Sequence, residues 1–253
     1  MIATAFETFQ HRAMAADIRL VSVDIFDTIL LRRCRPELAR FADIAAAQAI
    51  ALNRAGIDGV TAEGVYRARL KLHKQVYDQV RRGERPEARH DDILDAIRVH
   101  LNLPVQALPI MAEAETVYES SVLTANRALV AGLAEIACAK RLILSTDMYL
   151  PEPAIRALLA QLTPDLAALP LLVSSDLGAT KRSGTLFGLL PQRFGACPRE
   201  ILHAGDNKAA DVEQARAAGL HAQWLPRSLA FRLNLAVKDR VLRRTLRRKG
   251  WLY

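Results

Sequence analysis

The sequence predicts an α/β protein, a Rossmann-like parallel sheet whose first strand is followed by a mainly helical insertion. Three observations predict it. Apolar, β-rich runs recur at 18 to 26, 141 to 146, 169 to 175, 200 to 205 and 220 to 225. The later runs alternate with segments of helical length, the pattern of a parallel sheet covered on both faces. The interval from Arg33 to Ser121 carries helical patterns and no convincing strand.

Taken in order, "IRLVSVDIF" is the first strand, and it ends on Asp24 with Asp27 three residues later. An unpaired carboxylate in such a place costs several kcal/mol or takes up a proton, so partners for Asp24 are expected elsewhere in the chain. The segments "PELARFADIAAAQAIALNRAG", "TAEGVYRARLKLHKQVYDQVRRG", "HDDILDAIRVHL" and "MAEAETVYES" then read as helices. After them "RLILST", "LPLLVSS", "EILHAG" and "LHAQWL" read as strands, separated by the helical "EPAIRALLAQL", "GTLFGLLPQRF" and "AADVEQARAAGL". The domain division that follows is an α/β core over 1–32 and 122–226, a helical cap over 33–121 and a basic tail over 227–253.

At 253 residues with 51% hydrophobic content the chain can bury a substantial core. No apolar run reaches the 18 or so residues of a spanning helix, and the N-terminus lacks the basic head and apolar block of a secretory signal, so a cytoplasmic location is expected. Cys34, Cys138 and Cys197 are odd in number and far apart, which supports neither a disulfide framework nor a CxxC metal site. They read as small buried hydrophobes. Neither a GxGxxG nor a GxxxxGK[ST] loop is present, and there is no internal repeat.

The net charge of +8 is concentrated at one end. Residues 227 to 253 hold nine Lys or Arg and one acid, Asp239, leaving 26 bases and 26 acids in the rest. Leu229, Leu233, Val237 and Val241 recur every fourth residue there, among Arg240, Arg243, Arg244, Arg247 and Arg248. This reads as a basic amphipathic helix. It could dock on its own domain, or bind an anionic membrane surface or a protein partner; nucleic acid is the least favoured reading. Trp251 and Tyr253 suit a lipid headgroup layer. Lipid binding would put the protein at the inner membrane surface.

In open α/β sheets ligands bind beyond the carboxyl ends of the strands. The polar residues there are Asp24 and Asp27; Ser145, Thr146 and Asp147; Ser174, Ser175 and Asp176 with Lys181; and Asp206, Asn207 and Asp211. Any one could cap a helix, but four strand ends delivering carboxylates, a hydroxyl and a lysine to one edge exceed what capping explains. Three carboxylates about 4 Å apart would repel by about 4 kcal/mol per pair at an effective dielectric of 20, a penalty that a divalent cation and a lysine remove.

"DIFDT", "LILSTDMYL", the Lys of "ATKRSG" and "HAGDNKAAD", in that order, resemble the four motifs of the haloacid dehalogenase (HAD) superfamily of phosphohydrolases. The resemblance runs from residue 18 to about 226, with the helical insertion where the family carries a C1 cap. The wording is also similar to a branch associated with bacterial polysaccharide and glycosyltransfer machinery. The resemblance implies a Mg²⁺-dependent phosphatase of a small phosphorylated metabolite, plausibly a sugar or polyol phosphate, with Asp24 as nucleophile. It implies a metal held by Asp24, the Phe26 carbonyl and Asp206, with Asp211 as a ligand or close partner. Thr146 and Lys181 would bind and stabilise the phosphoryl group, joined at the substrate by Asp147 and Asn207. Thr146 competes with Ser145, which would point to the other side of the strand.

The chain departs from the common DxDxT pattern at Phe26, where many relatives carry a second Asp as general acid and base. Asp27 is then either a substitute acid/base or a structural loop residue. Cap candidates for the missing role are Arg32, Arg33, Tyr66, His90 and Asp91, whereas His73, His90 and His100 read as exposed helix residues rather than metal ligands. The same residues also suit two alternative readings: a metal-free dehalogenase-like hydrolase, and a non-catalytic module that binds a glycosyltransferase or a membrane through cap and tail.

Overall fold

The computed structural model describes residues 4 to 252. In chain order the elements are α1 (Ala5–Ala13), β1 (Leu20–Asp24), β2 (Leu30–Leu31), α2 (Glu37–Arg54), α3 (Ala62–Arg81), α4 (His90–His100), α5 (Ala107–Val122), β3 (Thr124–Ala125), α6 (Arg127–Ala139), β4 (Arg141–Thr146), α7 (Glu152–Leu162), β5 (Leu171–Val173), α8 (Ser174–Leu177), α9 (Thr185–Phe194), β6 (Ile201–Gly205), α10 (Gln214–Ala217), β7 (His221–Trp224) and α11 (Leu229–Arg248). They form two compact units, 1–32 with 123–227, and 33–122 with 228–253.

The first unit is built on a five-stranded sheet in the order β5-β4-β1-β6-β7, with every pairing parallel. All five residues of β1 are buried, as are those of β6, which is why these strands read as near-continuous apolar runs. On one side Leu20, Ile143, Leu172 and Ile201 pack with Leu186, Phe187 and Leu190 of α9. Because β1 lies between β4 and β6, the strand order reverses at β1, and the crevice beyond its carboxyl end is where a ligand site is expected. The short antiparallel pair β2–β3 joins the strands at the two sequence edges of the insertion, a feature the sequence pattern does not reveal.

The second unit is helical. Its centre is polar: the fully buried Arg69 of α3 makes two bonds of 2.6 Å to Glu115 of α5, and His90 of α4 lies 3.0 Å from the same carboxylate. Gln48 of α2 donates to the Met111 carbonyl at 3.0 Å. The bidentate pair and its added bonds offset the desolvation of polar side chains drawn from four helices.

Several sequence expectations are corrected here. His90 is buried, not exposed, and His73 is partly buried between Phe41 and Tyr77; only His100 of the three is exposed. The partner that lets His90 go inside, Glu115, lies 25 residues away on another helix and leaves no local spacing signal. Cys138 and Cys197 are exposed and Cys34 is partly covered, so the cysteines are not core residues. Of the tail set apart in sequence at 227–253, Arg227 belongs to the sheet unit and 228–253 group with the helical unit. There Trp251 stands edge-on to Tyr66 at 6.1 Å rather than free for lipid; Tyr253 lies outside the described residues.

Candidate active site

Asp24 closes β1 and is buried, and its register partner is Ser145 of β4. Thr28 donates to its Oδ2 at 3.0 Å, and Lys181 Nζ lies 2.5 Å from its Oδ1. The same ammonium reaches Asp211 Oδ1 at 2.6 Å. Carboxylate oxygens of Asp24, Asp206 and Asp211 all lie within 4.8 Å of one another. The strands do most of this positioning, since Asp24 ends β1 and Asp206 directly follows β6, its parallel neighbour.

Lys181 is on a loop, so its placement needs separate support. Asp147, just after β4, accepts the N–H groups of Lys181 at 2.7 Å and Arg182 at 3.0 Å. The hydroxyls of Thr180, Ser183 and Thr185 close the loop on itself, and Gly184 N–H donates to the Lys181 carbonyl at 2.9 Å. Asp147, read from sequence as a substrate contact, thus has both oxygens committed to holding the lysine loop. Asn207 is likewise occupied: its Oδ1 accepts from Ala209 and Ala210 N–H, capping the π-helical turn Lys208–Glu213. Asp211 answers from inside the turn, its Oδ2 accepting the Asn207 N–H at 2.9 Å while its Oδ1 faces Lys181.

Gly205 explains why Asp211 can come so close. A Cβ at this position would sit 2.3 Å from Asp211 Oδ2, so the last residue of β6 has to be a glycine for the carboxylate to occupy its place.

Behind the carboxylates runs a buried polar chain. Ser145 Oγ lies 3.0 Å from Ser22 Oγ, Ser22 Oγ 3.0 Å from His203 Nδ1, and His203 Nε2 3.2 Å from Asp211 Oδ1. Burial pushes the His203 pKa down, favouring a neutral ring. Burial alone would raise Asp211, but Lys181 and His203 outweigh it and hold its carboxyl below the usual range. With Asp211 ionised, Nε2–H must donate to it and Nδ1 must accept from Ser22, which in turn accepts from Ser145. Ser145 therefore faces this chain. Thr146 is buried at the end of β4, and among the described residues its hydroxyl makes no hydrogen bond.

The electrostatics fit a hard cation. Burial raises the Asp24 pKa, with Asp211 and Asp206 adding to the rise and Lys181 opposing it. Asp206 is pushed up to about 7, first by burial and then by Asp27 and Asp211. Burial alone would lower the Lys181 pKa, but the carboxylates of Asp24 and Asp211 outweigh that desolvation and lift it overall. The lysine is thus bonded to two of the three carboxylates, and oxygen donors at this spacing suit Mg²⁺. The turn after β1 also fits: Ile25 and Leu30 carbonyls accept its backbone bonds, and the Phe26 carbonyl accepts none of them. Asp24, Asp206 and Asp211 with the Phe26 carbonyl are the groups that would hold the ion.

Asp27 sits at φ 62°, a left-handed conformation that Asp tolerates, so the chain turns directly after Phe26. Its carboxylate accepts from Arg227 at 2.7 Å and lies 3.5 Å from Arg32, whose guanidinium covers the Phe26 ring at 4.3 Å. Sequence reading missed Ser22, His203, Gly205 and Arg227. Ser22 had a usable signal, since it shares the Asp24 face of β1 by the two-residue period. Arg227 had none, because it meets a residue 200 positions away.

No protein-family model matches the chain. A phosphoserine phosphatase from Thermus thermophilus is 40% identical over 58 residues, 23% of each protein. Three solved structures share the fold: a 2-haloacid dehalogenase from Pseudomonas syringae (TM-score 0.55, 18% identity, 82% of this chain and 86% of that one), a HAD family enzyme from Bacteroides thetaiotaomicron (0.54, 12%, 82% and 93%) and a haloacid dehalogenase-like family hydrolase from Xanthomonas campestris (0.51, 13%, 89% and 95%). The chain therefore has the haloacid dehalogenase fold, in the mixed α/β form described above. Among the described residues no helix is long and apolar enough to cross a membrane.

Proposed function

We propose that the protein is a Mg²⁺-dependent phosphatase of a small phosphorylated metabolite, with a sugar or polyol phosphate as the substrate class. The observation that carries the reading is the meeting of Asp24, Asp206 and Asp211 oxygens within 4.8 Å, with Lys181 bonded to the first and last. The local match to a phosphoserine phosphatase supports phosphoryl chemistry.

In this reading an Asp24 carboxylate oxygen forms a bond to phosphorus as the bond to the leaving alcohol oxygen breaks. Lys181 balances charge on Asp24 and on the phosphoryl oxygens, and the Thr146 hydroxyl is available to donate to one of them. Mg²⁺, when bound, would neutralise charge on the transferred group. Water then attacks the aspartyl-phosphate, releasing inorganic phosphate and regenerating the Asp24 carboxylate. Asp27, tied to Arg227 and Arg32, holds the loop in place, so the leaving oxygen draws its proton from solvent.

The test is phosphate release from a panel of phosphomonoesters with Mg²⁺, for wild type and Asp24→Asn. Turnover by wild type that is lost in the variant and on chelation supports the proposal. Turnover undiminished by EDTA would overturn it in favour of a metal-free dehalogenase-like hydrolase, a reading that Phe26 in place of a second carboxylate keeps in view. No turnover on any ester would point to a non-catalytic module.

A further inference from the structure

Helix α11 has two apolar faces, and one of them is uncovered. Phe231, Leu235, Leu242 and the buried Leu246 lie on the inner side, and Lys238 Nζ donates to the Cys34 carbonyl at 3.1 Å, fixing the helix to its own unit. At 100° per residue, Leu229, Leu233, Val237 and Val241 fall on the opposite side. Their exposures are 62, 59, 61 and 60%. A helix docked on its own domain would cover its apolar residues; this one covers one row and presents the other.

The charges on the outer face are ordered along it. Arg240, Arg244, Arg247 and Arg248 project on the same side as the aliphatic row, following it toward the C-terminal end, and all four are exposed. The one acid of the helix, Asp239, is turned away and bonds Arg243 at 2.6 Å. The surface is thus an aliphatic stripe about 18 Å long by the helical rise, continued by arginines with no acid among them.

We propose that this face docks on an anionic lipid surface, the aliphatic row entering the headgroup–acyl boundary and the arginines meeting lipid phosphates. Two features favour lipid over a protein or nucleic acid. The row is made of Leu and Val without the aromatic anchors that dominate protein hot spots, and nucleic acid would use the arginines but leave the aliphatic row in water. The proposal is independent of the catalytic reading.

The experiment is flotation of the full-length protein with vesicles of phosphatidylcholine alone and of phosphatidylcholine mixed with phosphatidylglycerol. We expect retention on the anionic vesicles that salt weakens, and little on the neutral ones. Arg244→Gln with Arg248→Gln should lower partitioning roughly 30-fold, about five-fold per charge. Leu233→Gln with Val237→Gln should lower it by at least about ten-fold. These sites are exposed, so circular dichroism and melting should match wild type and exclude misfolding as the cause. Retention that the Leu233/Val237 variant leaves unchanged would overturn the proposal, as would equal binding to neutral vesicles, or preference for duplex DNA or an acidic protein without vesicle binding.

Discussion

Replacing Gly205 by Ala adds one methyl group at the end of β6. That methyl would stand 2.3 Å from Asp211 Oδ2 and 2.4 Å from its Cγ, well inside ordinary contact. To restore a normal separation the carboxylate has to retreat by about 1 Å, which lengthens its bonds to Lys181, His203 and the Asn207 N–H beyond hydrogen-bond range. Overpacking of this kind costs about 1–3 kcal/mol, equivalent to a fall in Tm of roughly 2–12 °C for a protein of this size. The functional loss should be larger in proportion: displacement by about 1 Å costs about 100-fold in rate, and disturbed metal partners cost about 10- to 100-fold in affinity. The assay is kcat and the Mg²⁺ titration midpoint for phosphate release, with melting curves in parallel. Gly188→Ala is the control, because this exposed helical glycine has nothing within 4 Å of an added Cβ. It should be neutral or stabilise by about 0.5–1 kcal/mol. A Gly205→Ala protein with unchanged kcat and unchanged Mg²⁺ dependence would refute the claim that β6 ends in glycine to admit Asp211.

Three further outcomes follow from the same geometry. With Phe26 where an acid would stand, hydrolysis should depend steeply on the leaving group: aryl phosphates should turn over about 10²- to 10⁴-fold faster than alkyl phosphates of equal fit, and a flat dependence in a rate series across leaving-group pKa would show that another group supplies the proton. Lys181→Met leaves two buried carboxylates without their shared cation and should cost about 3–5 kcal/mol in denaturant unfolding without metal, with part of the loss recovered in Mg²⁺; equal stability to wild type would contradict the bridge. In the helical unit, burial and Arg69 lower the His73 pKa to about 3, so below about pH 6.5 the unfolded chain binds a proton that the folded one refuses. Stability should therefore fall as pH drops from about 6.5 toward 3, and His73→Gln should flatten that slope in melts; an unchanged slope would assign the acid sensitivity elsewhere.

The sheet was legible because each central strand is buried on both faces, which writes a continuous apolar run such as "IRLVSVDIF" into the sequence. The acidic site was legible for a related reason: Asp24 and Asp206 break off such runs at the same edge. What sequence could not supply were contacts made at a distance. Asp147 and Asn207 are the right residue types at the right strand ends, yet each spends its oxygens on backbone N–H groups, a fact visible only once the Lys181 loop and the turn after β6 have shapes. His203 looked like strand filler until Ser22 and Asp211 were placed on either side of it. His90 looked like surface until Glu115 arrived from another helix.

The turn after β1 gathers the places where the chain leaves the sheet unit. Arg32 is the last residue before the chain departs, Arg227 the last before it departs again, and both rest on the carboxylate of Asp27; Arg227 also donates to the Arg32 carbonyl at 3.1 Å. The returning segment is stitched alongside, with Thr124 paired to Leu31. Two exits of the polypeptide and one return thereby lie against the segment that begins at Asp24. The two arginines that border the sheet unit thus converge on a single carboxylate, Asp27, three residues along the chain from Asp24.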